Sequence, residues 1–451
     1  MTDGDGGRTV GGSSPDKSPA SAAHQSAQER VEASGAPAAL PPKHEAHSAT
    51  GRFLADLWST NTVTVTVLSL FAALVIGGVL TIVSDKDTMA AYSYIFARPG
   101  DALGRSWSLV AEAYANLLKG AVLDPAVLQQ WLDGQATWRQ VLYPISETLT
   151  YSTPLVFTGL SVALAFRSGL FNIGSQGQAT IGVICAALVG FLVPLPVGLH
   201  LVAAVLAGAL GGAAWGFLPG ILKARTGAHE VINTIMLNYV AFAFLTWIVH
   251  QRGVQDPQRT DFISRQVDAS AQLPRLLGGT LRVDAGLLVA IAATAAVAWL
   301  LARSTIGFEL RAVGANPDAS RTAGISVGST LVLAMSLSGA LAGLGGGQMV
   351  LGATASALTT SVVAQIGFDG ILVALLGRAK PWGVALAALL FGALRAGGNA
   401  MQSASGISLE LVTVLQALIV IFIAAPALVK GMFRLRAARQ ASTATVLTKG
   451  W

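Results

Sequence analysis

The residues of this chain that could do chemistry are uncharged amides set among apolar runs. Gly169-Leu-Phe-Asn-Ile-Gly-Ser-Gln-Gly-Gln178 carries Asn172, Gln176 and Gln178; Val231 to Tyr239 carries Asn233 and Asn238; Ala364 to Gly370 carries Gln365 and Asp369; Asn399 and Gln402 follow. An amide facing lipid is costly, so these groups must turn into a helix bundle or a wet cavity. There they offer donors and acceptors to a neutral hydroxylated solute, or they hold helices to one another, and residue type alone leaves both roles open. A chain break around Gly367 and Gly370 would free backbone groups to line such a cavity as well.

Other chemistries find little support. The sequence has no G-x-x-x-x-G-K-[ST] phosphate loop, no H-E-x-x-H pair and no G-x-S-x-G elbow. Gly345 to Gly347 sits in an apolar segment without the strand and lysine of a nucleotide site, and His229-Glu230 reads as a helix start rather than a metal pair. Cys185 is the single cysteine, which excludes an intrachain disulfide and cysteine-rich metal centres and suits a small buried hydrophobe. The expectation is therefore no catalytic residue, no metal and no cofactor bound by this chain.

The elements that must position the amides are membrane helices. Of 451 residues, 53% are hydrophobic and only 12% charged, where soluble domains carry roughly a quarter charged. Ten apolar stretches, at 63–83, 146–166, 170–192, 198–218, 231–250, 283–301, 328–351, 366–379, 383–397 and 409–429, approach the roughly 20 residues a helix needs to cross a bilayer. The fold class expected is an all-α polytopic membrane bundle of about ten transmembrane segments. The eighth and ninth are short and glycine-interrupted, which predicts tilted, broken or re-entrant elements. Glycines such as Gly339 and Gly343 let helix backbones approach closely.

Residues 1–55 lack an apolar period and predict a disordered tail, whose polarity also argues that the first span is retained rather than cleaved as a signal. A transmembrane domain over 56–440 and a short tail at 441–451 complete the division. Lys223 and Arg225, then Arg303, Arg311 and Arg321, then Arg378 and Lys380, then Lys430, Arg434, Arg436 and Arg439 fall on one side of a ten-span topology. Positive charge flanking spans marks the cytoplasmic side, so both termini are expected there, and the formal charge of +6 reports topology rather than nucleic-acid binding. The insertion 84–145, with five Lys/Arg against six Asp/Glu, falls outside. Leu103 to Leu118 and Ala126 to Trp138 read as short amphipathic helices, with Trp107, Trp131 and Trp138 at the headgroups.

The loop 302–327 differs in kind. Within Gly307-Phe-Glu-Leu-Arg-Ala-Val-Gly-Ala-Asn-Pro-Asp-Ala-Ser-Arg-Thr-Ala-Gly324, Asn316 can cap a helix that has Pro317 as its first residue. A short helix lying along the membrane surface is a handle for a soluble partner, although a plain connecting loop would satisfy the same pattern.

Gly169 to Gln178, Glu230-Val-Ile-Asn-Thr-Ile-Met-Leu-Asn-Tyr239, Gly307 to Gly324 with Ser338 to Gly343, and Gly367-Phe-Asp-Gly-Ile-Leu-Val-Ala-Leu-Leu-Gly-Arg378 together resemble the permease family of bacterial ABC importers for ribose-like sugars and nucleosides, nearer its nucleoside-type branch. The resemblance covers most of 145–429. It implies alternating-access import of a neutral nucleoside or sugar through the inner membrane, a second permease subunit that is a distinct paralogue, a cytoplasmic ABC ATPase holding ATP and Mg, and an extracytoplasmic solute-binding lipoprotein. It also makes 307–324 a coupling loop, with Glu309, Arg311, Asn316, Pro317, Asp318, Arg321 and Gly324 at its matching positions. A simple-sugar permease, an ion-coupled secondary transporter and a non-transporting scaffold are the alternatives. The scarcity of intramembrane acids, Asp369 apart, weighs against the ion-coupled one.

Overall fold

The computed structural model of the protein describes residues 62–433, all within one contact-connected unit. The tails expected at 1–55 and 441–451, and Arg434, Arg436 and Arg439, lie outside the described residues. Sixteen α-helices follow in chain order: α1 Thr62–Ser84, α2 Lys86–Tyr92, α3 Pro99–Ala121, α4 Pro125–Leu132, α5 Trp138–Arg167, α6 Ser175–Leu192, α7 Leu199–Thr226, α8 Glu230–Val249, α9 Gly286–Arg303, α10 Thr305–Ala315, α11 Pro317–Thr322, α12 Val327–Leu351, α13 Ile366–Leu376, α14 Pro381–Ser405, α15 Leu409–Ala424 and α16 Pro426–Met432. Among the described residues β pairing is limited to two isolated bridges, Gln255 with Ser264 and Arg275 with Asp284. The chain is an all-α membrane bundle that has, among the described residues, eight helices long and apolar enough to span: α1, α5, α6, α7, α8, α9, α12 and α14.

The two remaining expected spans are shorter. Helix α13 has 11 residues, about 16 Å at 1.5 Å per residue, well under the bilayer core. Helix α15 ends at Ala424 because Pro426 opens α16. The ninth segment corrects the sequence reading, since α14 runs unbroken for 25 residues. Its glycines are contact points rather than breaks. A side chain on Gly392 would strike Ser152, and one on Gly397 would strike the Leu117 backbone.

Helix α5 is the pillar of the bundle, flanked by α9, α12, α13 and α14. It buries Thr150, Ser152, Thr153 and Thr158, and each hydroxyl donates to the carbonyl four residues back, at 2.8, 2.6, 2.8 and 3.2 Å. Closing these bonds locally lets a hydroxyl-rich helix sit inside an apolar body. A second layer forms where α12 crosses α6 and α7. A Cβ on Gly212 would overlap the Gly339 carbonyl, and one on Gly182 would overlap Gly343, so only glycine permits this crossing.

The expected amphipathic helix at 103–118 is longer, Pro99–Ala121, and it packs Leu117 and Ala121 against the bundle while Trp107 stays 77% exposed. The second one is Pro125–Leu132 only, and Trp138 instead opens α5 behind a Thr137–Gln140 capping box.

The two ends of the bundle carry different connections. At one end Gly314 rests on Arg167 and Ser168, Arg167 Nε donates to the Ala379 carbonyl at 3.0 Å, and Gly328 abuts Ala224. This end gathers the basic residues of the 223–229, 303–326 and 377–380 connections. At the other end Arg282 pairs with Glu147 at 2.8 Å, and Asp284 accepts from the backbone of Gly286 and Ala353, both at 2.9 Å. Burial there pushes the Asp284 carboxyl above the ordinary carboxylate range.

Candidate functional site

The site is built on the start of α6. Leaving α5, the chain turns at Gly169 and runs through Asn172 before α6 begins at Ser175. Asn172 and Gln178 are fully buried and face one another: Asn172 Nδ2 donates to Gln178 Oε1 at 2.8 Å and Gln178 Nε2 donates back to Asn172 Oδ1 at 3.3 Å. Asn172 also donates to Ser338 Oγ at 2.7 Å, and Ser338 in turn donates to the Ser161 carbonyl. These two amides tie the α5–α6 linker to α12 and line neither of the two cavities described below.

Gln176 does something different. Its Nε2 donates to the Ala364 carbonyl at 2.7 Å, and its Oε1 accepts from the Gly367 backbone at 2.8 Å. One side chain thus grips the first turn of the half-length helix α13. The approach is close enough that a Cβ on Gly367 would fall on the backbone of Gln176. Ala364 takes φ +35°, a conformation uncommon for a residue with a side chain, at the point where this grip is made.

Beside the grip lies a cavity of about 390 Å³ between α6, α8 and α13. Gln176, Asn238, Tyr239, Phe242 and Phe368 line it. Asn238 is set by two bonds, accepting from Gly177 N in the first turn of α6 at 2.8 Å and donating to the Ile173 carbonyl of the linker at 3.0 Å. Tyr239 is 71% exposed. Two polar atoms close by, Ser175 Oγ and Trp215 Nε1, are buried without a hydrogen-bond partner. Asn233 lies earlier on α8, does not line the cavity, and has a buried Nδ2 in the same condition.

A second cavity, about 520 Å³, opens on the other side of Ala364, between α5, α13, α14 and α15. Gln365 and Asp369 line it together with Tyr151, Arg395 and Glu410. Asn399 stands one contact behind, donating to the Tyr151 hydroxyl at 3.0 Å, whereas Gln402 is exposed on the last turns of α14 and lines neither cavity. Sequence reading missed Tyr151, Arg395 and Phe368. Arg395 carried a readable signal, as a lone charge well inside an apolar span. Among the described residues no cluster of three His, Cys, Asp or Glu side chains forms a metal site.

The 307–324 segment forms two helices at the basic end. Asn316 ends α10 and caps α11, its Oδ1 accepting from Asp318 N at 3.0 Å and Ala319 N at 3.1 Å, with Pro317 as the first helical residue. Asp318 and Arg321 pair at 2.9 Å on the exposed face, which Pro317 and Gly324 share. Arg311 Nε bonds back to the Gly307 carbonyl at 3.2 Å, and Glu309 is half-buried. Leu310 and Val313 anchor α10 to the bundle. Gly314 presses on Arg167, Ser168 and Gly169, the start of the linker that carries Asn172 and leads into the first turn of α6 with Gln176.

The family described as branched-chain amino acid transport system / permease component matches residues 145–424. A guanosine ABC transporter permease protein of Bacillus subtilis is 40% identical over 292 residues, spanning 64% of this chain and 84% of the relative. A nucleoside ABC transporter permease protein of Lactococcus lactis is 41% identical over 308 residues, 67% of this chain and 84% of the relative. A glucose ABC transporter permease protein of Haloferax volcanii is 30% identical over 367 residues, 79% of this chain and 86% of the relative. No solved structure matches the chain. With the matched region holding all of the spanning helices but the first, together with the two cavities and the capped surface helix, the chain belongs to this family as a multi-pass membrane permease component of an ABC-type importer.

Proposed function

We propose that the protein forms half of a pore that imports nucleosides by alternating access, with ATP hydrolysed on a cytoplasmic partner. The observation that carries this reading is the cavity where the Gln176 grip meets Asn238, Tyr239, Phe242 and Phe368. Amides beside aromatic rings suit a solute that is uncharged, hydroxylated and flat on one side. The names of the two relatives near 40% identity point to the same solute class.

The mechanical half of the proposal follows the chain. ABC importers pair such permeases with an ATPase and a solute-binding protein. In this reading α10 and α11 take the ATPase stroke through Glu309, Arg311, Asn316, Pro317, Asp318, Arg321 and Gly324. Gly314 passes it to Ser168 and Gly169, and the rigid Asn172–Gln178 pair carries it to Gln176 and so to α13. The basic end is then cytoplasmic, as positive flanks favour. The opposite end receives solute from an extracytoplasmic lipoprotein, and a distinct paralogue supplies the second half of the pore.

Reconstitution with its ABC ATPase, second permease and solute receptor, offered nucleosides, free bases, pentoses and glucose, tests the reading. ATP-dependent uptake of nucleosides is expected. Uptake of glucose alone, the solute named for the Haloferax volcanii relative, would favour a sugar permease. Uptake that persists without the ATPase and collapses with an ion gradient would make it a secondary transporter.

A further inference from the structure

We propose that the second cavity is the nucleobase-reading site of the pore, where the Asp369 carboxylate accepts N–H bonds from the base and the Arg395 guanidinium donates to a neighbouring carbonyl or ring nitrogen. The inference rests on the nucleoside reading above and extends it to a part of the molecule that reading does not use.

The starting point is a pair of charges in a costly place. Asp369 stands on α13 and Arg395 well inside the spanning helix α14, and both face the same cavity of about 520 Å³. Neither side chain has a hydrogen-bond or ion-pair partner among the described residues, and the two do not reach ion-pair distance of each other. Charges inside a membrane bundle are maintained where they meet each other, water or a solute. Two opposite charges that share a cavity without touching leave a gap suited to a neutral molecule carrying a donor and an acceptor side by side.

A nucleobase is such a molecule and a sugar is a poorer one, because hydroxyls rotate while a base edge fixes its donors and acceptors in a plane. Guanine uses both charges fully, with N1–H and the exocyclic N–H toward a carboxylate and O6 and N7 toward a guanidinium fork, whereas adenine offers a carboxylate one amino group. The cavity supplies a flat surface as well. Tyr151 lines it, and because Asn399 donates to the Tyr151 hydroxyl, the phenol keeps its own proton to donate.

The position suits entry. Glu410 and Thr354 place the cavity toward the end away from α10 and α11. Ala364 lies in the wall of this cavity and of the aromatic one, so a solute leaving this cavity passes the Gln176 grip to reach the aromatic one.

The test is uptake by the complete reconstituted transporter, with labelled guanosine competed by adenosine, cytidine, uridine and ribose. Asp369→Asn is expected to lower the guanosine-over-adenosine preference by about tenfold, and Arg395→Gln to do the same, while thermal stability of the purified complex stays near the parent's. If Asp369→Asn fails to reach the membrane, Arg395→Lys asks the same question, since it keeps the charge and loses the fork. Variants that slow all solutes in proportion, with the preference unchanged, would overturn the proposal and make the pair a helix-spacing device. A parent that moves sugars but no nucleoside would instead bring down the functional reading, and this inference with it.

Discussion

At Gln176 both ends of one amide are committed to a single turn of backbone, which gives the residue a mechanical meaning its neighbours lack. Replacing it with Ala leaves the part-buried Gly367 N–H without its partner, a loss of about 1–3 kcal/mol, while the exposed Ala364 carbonyl can turn to water. Uptake through Gln176→Ala is expected to fall severalfold more than the thermal stability of the complex would suggest, because the half-helix is no longer held at the junction of the two cavities. Unchanged transport rates would separate the grip from the transport cycle. Asn172 belongs to the opposite case. Asn172→Leu removes both partners of the buried Gln178 amide, while Ser338 keeps Ser161, so the expected result is a lowered melting temperature with solute preference unaltered. A changed preference at normal stability would return Asn172 to the path.

At the scale of elements, α11 shows how a six-residue helix is kept in place without a core of its own. Asn316 satisfies two of its first N–H groups, Pro317 presets its entry, and Ser320 is the residue it buries. Asn316→Ala should cost the helix about 1 kcal/mol. The expected consequence is weaker stimulation of ATP hydrolysis by solute-loaded receptor, with membrane insertion normal; stimulation equal to the parent's would remove α11 from the coupling route. Helix α13 illustrates a different economy. Its 11 residues cannot span, so its N-terminus lies within the body of the bundle, and the Gln176 grip supplies part of what the missing turns would have provided.

For the whole molecule, the sorting of connections between two ends makes sidedness testable. Ala323 sits on the exposed surface beyond α11 and Gln258 on the exposed surface of the opposite end. In a Cys185→Ala background, a membrane-impermeant maleimide added to intact cells is expected to label Gln258→Cys and to spare Ala323→Cys until the membrane is opened. The reverse pattern would invert the assignment of the basic end to the cytoplasm and with it the direction of the proposed ATPase stroke.

Sequence by itself determined the solvent this protein folds in. Long apolar runs with closed backbone hydrogen bonds admit little but helices, and the span starts at 199, 230 and 327 fall within a residue or so of where hydropathy put them. The Asn316–Pro317 start was legible for the same reason, since a cap is a local interaction between residues two or three apart. What hydropathy could not separate was a glycine that breaks a helix from one that packs it. Gly392 and Gly397 in α14 do the second, and only the neighbouring helix decides. The amides show the limit most clearly. Asn172, Gln176 and Gln178 lie within seven residues, yet the fold seals two of them against each other and turns the third to a helix start almost two hundred residues away. It likewise brings Asp369 to face Arg395 across a cavity, because contacts between distant segments are set by how helices cross and not by the spacing of residues along any one of them.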